Sequence, residues 1–199
     1  MKYIVIGGVA GGATVAARLR RLDEQADIIL FERGEYVSYA NCGLPYYIGG
    51  EINDRKKLFV QTVQGFVDRF RIDIRTLQEV TAIHPDKKSV DIKNLKTGET
   101  YTETYDKLAL SPGAEPLRPG IEGIDSKKIF TLRNVTDTDT IKEYINTSKP
   151  TSAIVVGGGF IGLEMAENLH RQGIQVSIVE MADQVMAPLD FSMAQMVHE

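Results

Sequence analysis

The sequence of 199 residues has no tryptophan, three histidines and one cysteine. One cysteine cannot form an internal disulfide, so a secreted scaffold built on cystines is excluded. Positive charge is not in excess: the formal net charge is -4 and both signs are interspersed, which leaves no basic footprint for nucleic acid. Long apolar runs that could span a bilayer are missing, and glycines interrupt the apolar start where a signal peptide would be continuous. These absences predict a cytoplasmic protein that binds neither nucleic acid nor membrane.

A glycine-rich turn between an apolar strand and a helix opens the chain. Residues 3–6 predict a short buried strand, residues 13–22 a helix with small residues on one side, and residues 28–31 a second strand. A strand, a helix and a strand within about 30 residues form the βαβ unit in which dinucleotide fingerprints occur.

The fingerprint in this turn is imperfect. In the G-x-G-x-x-G frame its three positions are Gly7, Val9 and Gly12, so the middle glycine is missing. The first glycine allows the tight turn and the last lets helix and strand approach closely. Either the side chain of Val9 points away from the phosphates, or the phosphates contact the backbone of Ala10 and Gly11. An acid, Glu32, ends the second strand, where a carboxylate can accept the ribose hydroxyls.

The same pattern returns 150 positions later. Gly157, Gly159 and Gly162 form a complete G-x-G-x-x-G between two predicted strands, and Glu180 ends the second of these strands. A single fingerprint is weak evidence, but two in matching βαβ settings, each followed by an acid, predict dinucleotide binding.

The remaining patterns predict an α/β fold with two Rossmann-like dinucleotide-binding domains, residues 1–120 and 121–199. Short alternating runs in residues 79–105 predict an antiparallel excursion in the first domain. The segment 112–123, with prolines and glycines, is the best linker candidate. A doubly wound domain needs more strands than the second one has, so we expect it to be truncated and the chain to be part of a longer protein.

The single cysteine, Cys42, lies in the stretch Tyr39-Ala-Asn-Cys-Gly-Leu-Pro-Tyr-Tyr47. Pro45 fits the first turn of a helix, where its missing N–H has no consequence. Cys42 would then lie at or just before the helix N-terminus, where unpaired N–H groups stabilise a thiolate. Position alone leaves a reactive thiol and an inert buried cysteine equally open.

Together these motifs resemble the flavin-dependent pyridine nucleotide–disulfide oxidoreductases, and in particular their branch with a single redox-active cysteine. Val9 is usual in that branch, which accounts for the imperfect first fingerprint. The resemblance covers the whole chain but only about the first half of such an enzyme. It rests on the stretches 7–14, 38–46, 111–113, 131–134 and 157–164.

The resemblance implies that FAD binds the first domain and NADH the second, with NADPH disfavoured because Glu180 would repel a 2′-phosphate. Phe160 would gate the nicotinamide pocket and Glu164 would orient the nicotinamide. The implied positions around FAD are Gly7, Val9, Ala10, Gly11, Gly12, Glu32, Arg33, Val80, Ser111, Gly113 and Arg133. Those around the second nucleotide are Gly157, Gly159, Phe160, Ile161, Gly162, Glu164 and Glu180.

The resemblance also implies a homodimer that reduces coenzyme A disulfide, or a related persulfide or polysulfide, with Cys42 as the nucleophile beside the flavin. A lysine that contacts coenzyme A in some relatives falls at Phe70 here, and Arg69 and Arg71 are the neighbours that could replace it. The positions implied to touch coenzyme A are Thr14, Arg18, Arg21, Ser38 and Asn41.

Two departures narrow the chemistry that the resemblance implies. Relatives similar to glutathione reductase carry a second cysteine where this chain has Tyr47, so Cys42 must pair with an external thiol. Peroxidase and oxidase relatives carry a histidine where this chain has Ala10, which disfavours peroxide or oxygen chemistry. An NADH oxidase using a Cys42 sulfenate and a nucleotide-binding redox module without turnover stay open as alternatives. We expect the 199-residue chain to bind FAD weakly and to be inactive alone.

Overall fold

The computed structural model describes residues 1–198, which divide into two compact units. The first unit consists of residues 1–40 and 59–115, and the second of residues 41–58 and the chain from residue 116 onward. The sequence predicts a domain boundary near residue 120, five residues past this division. The segment 41–58 belongs to the second unit. The predicted division into domains 1–120 and 121–199 stays a prediction.

Six α-helices and nine strands alternate along the described residues. The helices are α1 (Ala10–Leu22), α2 (Leu44–Ile48), α3 (Val63–Phe70), α4 (Val135–Ser148), α5 (Phe160–Arg171) and α6 (Phe191–His198). The strands are β1 (Lys2–Ile6), β2 (Asp27–Glu32), β3 (Asp73–Thr76), β4 (Gln78–His84), β5 (Ser89–Asn94), β6 (Thr100–Thr104), β7 (Lys107–Leu110), β8 (Ser152–Val156) and β9 (Gln175–Val179).

A parallel four-stranded sheet with the order β3-β2-β1-β7 forms the centre of the first unit. Ile4 on β1 lies opposite Ile29 on β2 and Leu108 on β7. The central strands are apolar almost throughout because both faces of a parallel sheet are covered. Helix α1 packs on one face through its small residues, which include the buried Ala13 and Ala16.

An antiparallel sheet, β4-β5-β6, covers the other face of the parallel sheet. Val90 and Ile92 of β5 are fully buried against Ile4, Ile29 and Phe31. This sheet confirms the antiparallel excursion predicted for residues 79–105. The α/β fold with two dinucleotide-binding motifs is likewise confirmed.

The second unit contains the parallel pair β8–β9 and the helices α2, α4, α5 and α6. Helix α4 begins with a capping box in which Asn134 and Asp137 each accept the other's backbone N–H. The apolar cluster under the strands is formed by Ile48, Ile141, Met165, Leu169 and Ile174. On the opposite face of β8, Ile154 and Val156 are 70% and 82% exposed.

Within residues 1–198, the longest and most apolar helices fall short of what a bilayer crossing requires.

Candidate nucleotide and thiol sites

The turn after β1 is packed so tightly that two of its glycines cannot carry a side chain. Gly7 has a φ of +94°, and a Cβ there would lie 2.0 Å from the carbonyl oxygen of Ser111. A Cβ on Gly12 would lie 1.7 Å from the carbonyl oxygen of Gly7. Strand β1, helix α1 and the residue after β7 therefore meet at van der Waals distance, as the fingerprint predicts.

Glu32 at the end of β2 is bonded to this turn through its carboxylate. One oxygen accepts the N–H of Gly8 at 2.7 Å, and the other accepts the N–H of Gly34 at 2.7 Å. A carboxylate has about four acceptor positions, so each oxygen keeps capacity for a ribose hydroxyl. The acid predicted as a ribose ligand thus also fixes the shape of the turn.

Helix α1 begins in a way that suits a phosphate. Its N-cap residue is Val9, and no side chain among the described residues makes a capping hydrogen bond there. The first turn of α1 also holds no acidic residue. Ala10 and Gly11 are exposed there, which leaves backbone N–H groups facing outward. These features fit the pyrophosphate of a dinucleotide such as FAD.

The other residues predicted around FAD are more dispersed. Arg33 forms ion pairs with Glu115 and, at 3.8 Å, with Glu79. Val80 packs on the core under the antiparallel sheet. Gly113 is exposed, with a φ of +72°, in the segment after β7. Arg133 lies in the second unit, where its N–H donates to the carboxylate that caps α4.

The second glycine turn repeats the geometry of the first. Gly157 has a φ of +105°, and a Cβ on Gly162 would lie 1.9 Å from the carbonyl oxygen of Gly157. Glu180 accepts N–H groups from Gly158 at 2.6 Å, Met181 at 2.7 Å and Ala182 at 2.8 Å. These bonds, those from Ala182 and Gly158 above all, hold the pKa of Glu180 below its usual range.

Helix α5 also begins without a side-chain cap among the described residues, with Gly159 at its N-cap. Phe160 and Ile161 in its first turn are exposed, as a gate over a nicotinamide pocket would require. Glu164 is half-buried one turn later. Its negative charge raises the pKa of Tyr46 on α2, the helix that follows Cys42. Glu164 is therefore close enough to α2 to act on it electrostatically.

Cys42 is exposed in the middle of a 3₁₀ turn that spans Asn41–Gly43. Helix α2 follows directly and has Pro45 in its first turn, as the sequence predicts. The thiol is therefore not buried in this chain, and its reactivity stays a prediction. Both Asn41 and Cys42 belong to the second unit.

A cavity of about 250 Å³ beside α1 brings together three of the residues predicted to touch coenzyme A: Thr14, Arg21 and Ser38. Arg69, named as a replacement for the missing lysine, and Phe70 also line it. Two guanidinium groups over an apolar floor suit an anion attached to an organic group. The remaining lining residues are Ala13, Ala17, Val60, Gln61 and Phe66. Arg18 is exposed on α1 and lies outside this lining.

The sequence did not indicate Val60 and Gln61 as part of this cavity. Both are placed by backbone hydrogen bonds, because their N–H groups donate to the carbonyl of Ser38 at 2.8 and 3.3 Å. The two residues lie in an irregular segment with no periodicity. No pattern in the sequence therefore marked them.

The family model described as pyridine nucleotide-disulphide oxidoreductase matches residues 1–199. The chain belongs to this family. Membership accounts for the two glycine turns and confirms the resemblance found in the motifs.

Three relatives from this family are similar over almost the whole chain. Coenzyme A disulfide reductase of Staphylococcus aureus is 43% identical over 194 residues, which are 98% of this chain and 44% of that protein. The structure of reduced Bacillus anthracis CoADR-RHD has 61% identity and a TM-score of 0.96, covering 99% of this chain and 36% of that one. An NAD-dependent persulfide reductase from A. fulgidus has 38% identity and a TM-score of 0.93, covering 99% and 37%. The chain therefore spans less than half the length of each.

Proposed function

We propose that this chain is the nucleotide-binding part of an NADH-dependent flavoprotein that reduces coenzyme A disulfide, or a related small disulfide or persulfide, through Cys42. The observation that carries the proposal is one exposed thiol in a chain that folds two dinucleotide turns. The names of the S. aureus and A. fulgidus relatives support the same chemistry.

In this proposal the first unit holds FAD and the second holds NADH. Gly7, Gly12 and Glu32 shape the first turn, and the exposed N–H groups at the start of α1 take the pyrophosphate. FAD, when bound, supplies a two-electron relay between the nicotinamide nucleotide and sulfur. Gly162 and Glu180 shape the second turn in the same way.

Cys42 supplies the sulfur chemistry. Its thiolate attacks one sulfur of coenzyme A disulfide, which forms a mixed disulfide and releases one coenzyme A thiolate. Two electrons that originate from NADH then cleave the mixed disulfide, release the second coenzyme A and restore the Cys42 thiolate. Since Tyr47 stands where a second cysteine would be, no internal thiol resolves the mixed disulfide.

We place the phosphates of coenzyme A at the cavity beside α1. Arg21 and Arg69 supply guanidinium groups that bind phosphate oxygens, and the hydroxyls of Thr14 and Ser38 add hydrogen bonds. The apolar floor accommodates the uncharged part of the ligand.

The natural protein is proposed to act as a homodimer, which sedimentation at several concentrations tests.

The deciding experiment uses the natural protein that contains this chain, loaded with FAD and kept anaerobic. NADH oxidation should depend on added coenzyme A disulfide and yield two coenzyme A thiols for each NADH. Cys42→Ser should keep NADH-driven flavin reduction, which needs no sulfur, and lose disulfide reduction by several orders of magnitude. Steady oxygen consumption with NADH alone would identify an oxidase instead, and nucleotide binding without turnover a non-catalytic module. If the serine variant keeps most of the disulfide reductase activity, Cys42 is not the nucleophile.

A further inference from the structure

The helix that follows Cys42 ends against a buried polar side chain that the proposed reaction does not use. Asn168 on α5 is fully buried. Its amide nitrogen donates to the carbonyl of Glu164 at 2.8 Å, while its Oδ1 accepts no N–H or O–H from the described residues. A buried amide oxygen without a donor is unfavourable, so its retention calls for a reason beyond packing.

Gly49, at the C-cap of α2, faces that oxygen. A Cβ on Gly49 would lie 2.1 Å from Oδ1, 2.7 Å from Cγ and 2.8 Å from Cβ of Asn168. The backbone of Gly49 has a φ of -67° and a ψ of -11°, which any residue adopts. Glycine is therefore required at this position by the space that Asn168 occupies and not by the backbone.

Two further side chains hold the same end of α2. Lys142 on α4 donates to the carbonyl of Tyr47, and its ammonium lies 4.2 Å from the centre of the Tyr47 ring. Gln172, at the end of α5, donates to the carbonyl of Gly49. Both carbonyls lie at the C-terminus of α2, where side chains commonly complete the hydrogen bonding, and the carbonyl of Tyr47 also accepts the N–H of Gly50 at 3.2 Å. Burial lowers the pKa of Lys142, as expected for an ammonium group that is partly removed from water.

Fixing one end of α2 fixes the other, because the helix has five residues and is too short to bend. Ile48 adds apolar contact to the cluster that contains Met165 and Leu169. The 3₁₀ turn with Cys42 joins α2 without an intervening loop. A displacement at Gly49 is thus transmitted to the thiol as a movement of a rigid segment.

We propose that Asn168 is a positioning residue that sets the reactivity of the Cys42 thiol through its contact with Gly49. Asn168 lies on α5, the helix that begins at the second glycine turn. The inference deepens the proposed function, since it concerns the thiol assigned there as nucleophile. It does not depend on turnover, because thiol reactivity is measurable without NADH or FAD.

The test is the rate at which iodoacetamide alkylates Cys42 in the native 199-residue chain, followed by intact mass. The chain has one cysteine, so each added mass reports this thiol alone. Asn168→Ala removes the contact without adding atoms, and Gly49→Ala forces a methyl group into Asn168. Each should lower the second-order rate constant by at least about threefold, a size typical of the coupling between two residues in contact, here Asn168 and Gly49.

The double variant separates positioning from general loss of stability. In Gly49→Ala/Asn168→Gly the new methyl group occupies the vacated space, so alkylation should recover toward the wild-type rate. Gly49→Ala/Asn168→Ala should recover only in part, because the Cβ that remains at position 168 lies 2.8 Å from the new methyl group. If Asn168 served stability alone, the single variants would melt at lower temperature while Cys42 of the folded protein kept the wild-type alkylation rate.

Gly123→Ala is the matched control. Gly123 belongs to the same unit, has a φ of +84° and has no atom within 4 Å of a Cβ, so alanine strains the backbone without touching α2. It should lower the melting temperature and leave the alkylation rate unchanged. The proposal is overturned if Asn168→Ala alkylates at the wild-type rate, or if Gly123→Ala slows alkylation as much as Gly49→Ala does. If the alkylation rates are as expected but the natural protein does not reduce coenzyme A disulfide, the proposed function is wrong and the positioning role of Asn168 stands.

Discussion

Two acidic residues, Glu32 and Glu180, show how much a single side chain does at each nucleotide turn. The sequence predicts that both bind ribose, from their place at a strand end. The structure adds that each carboxylate already binds the N–H of the second glycine of its turn, Gly8 or Gly158. This second role was not predictable, because the pattern places the acid on a strand and says nothing of which backbone groups lie within its reach.

Glu180 should decide the choice between NADH and NADPH. A carboxylate accepts ribose hydroxyls and repels a 2′-phosphate, and the next two residues, Met181 and Ala182, offer no positive charge. We expect kcat/KM of the natural protein for NADH to exceed that for NADPH at least about tenfold, or about 1.4 kcal/mol. Glu180→Arg should shift the preference toward NADPH, whereas Glu143→Arg, an exposed change on α4, should not. Equal kcat/KM values for the two nucleotides in the unaltered protein would contradict this assignment.

Glu180 should also make stability depend on pH. Its folded pKa is lowered by N–H groups, so its contribution is fully present above the unfolded value of about 4.3 and is lost as the pH falls through the lower folded value. Glu180→Gln removes this titration. The difference in the free energy of unfolding between the wild-type chain and this variant should therefore be largest above about pH 4.3 and shrink below it. Urea unfolding at several pH values measures it, and a difference that grows on acidification would refute the reasoning.

At the scale of elements, the order of strands and helices was largely predictable and their packing was not. Glycine turns, strand periodicity and caps act within a few residues, so the sequence locates both βαβ units and the antiparallel excursion. Helix α3 shows the limit: the adjacent apolar residues Phe66 and Val67 are 3% and 41% exposed, because which side of a short helix is covered depends on distant parts of the chain. The placement of residues 41–58 in the second unit, through Ile48 in its core, depends likewise on long-range contacts.

Two glycines of the second turn, Gly159 and Gly162, should have different effects when each is changed to alanine. An alanine at Gly162 would place its methyl group 1.9 Å from the carbonyl of Gly157, whereas Gly159 has no atom within 4 Å of a Cβ. Gly162→Ala should therefore destabilise the fold by about 1–3 kcal/mol, the usual range for overpacking. Gly159→Ala should unfold at nearly the wild-type urea concentration but bind NADH more weakly, because the methyl group occupies the approach to the backbone. Urea unfolding and calorimetric titration separate these outcomes, and the assignment of the turn fails if Gly159→Ala binds NADH normally.

Among residues 1–198, no segment covers one face of the β8–β9 sheet. Along β8 the side chains alternate: Ala153 and Val155 pack on the core of the second unit, while Ile154 and Val156 are exposed. Two strands with an open apolar face are not a stable sheet by themselves, so the helices below them hold the pair in place.

The weak retention of FAD expected for the 199-residue chain stays a prediction, which flavin absorbance after gel filtration tests.

The exposed face should bind hydrophobic dyes in the 199-residue chain. Ile154→Thr should reduce the fluorescence of bound anilinonaphthalene sulfonate and leave stability within about 0.5 kcal/mol, because it alters an exposed position. Val155→Thr, the neighbour on the covered side, should instead destabilise the chain by about 1–3 kcal/mol, since it buries a hydroxyl. Dye titration and urea unfolding of both variants make the comparison. Equal effects of the two changes would contradict the assignment of Ile154 to the exposed side of β8 and of Val155 to its covered side.

The contact between Gly49 and Asn168 has a consequence for how sequences of this kind change over time. Alanine at position 49 fits the backbone but collides with the side chain at position 168. The two positions are therefore epistatic, and only one order of substitution is open: position 168 must become small before position 49 can gain a methyl group. Among homologous lineages, alanine at position 49 should accordingly occur together with glycine or alanine at position 168, and asparagine at 168 should be inherited with glycine at 49.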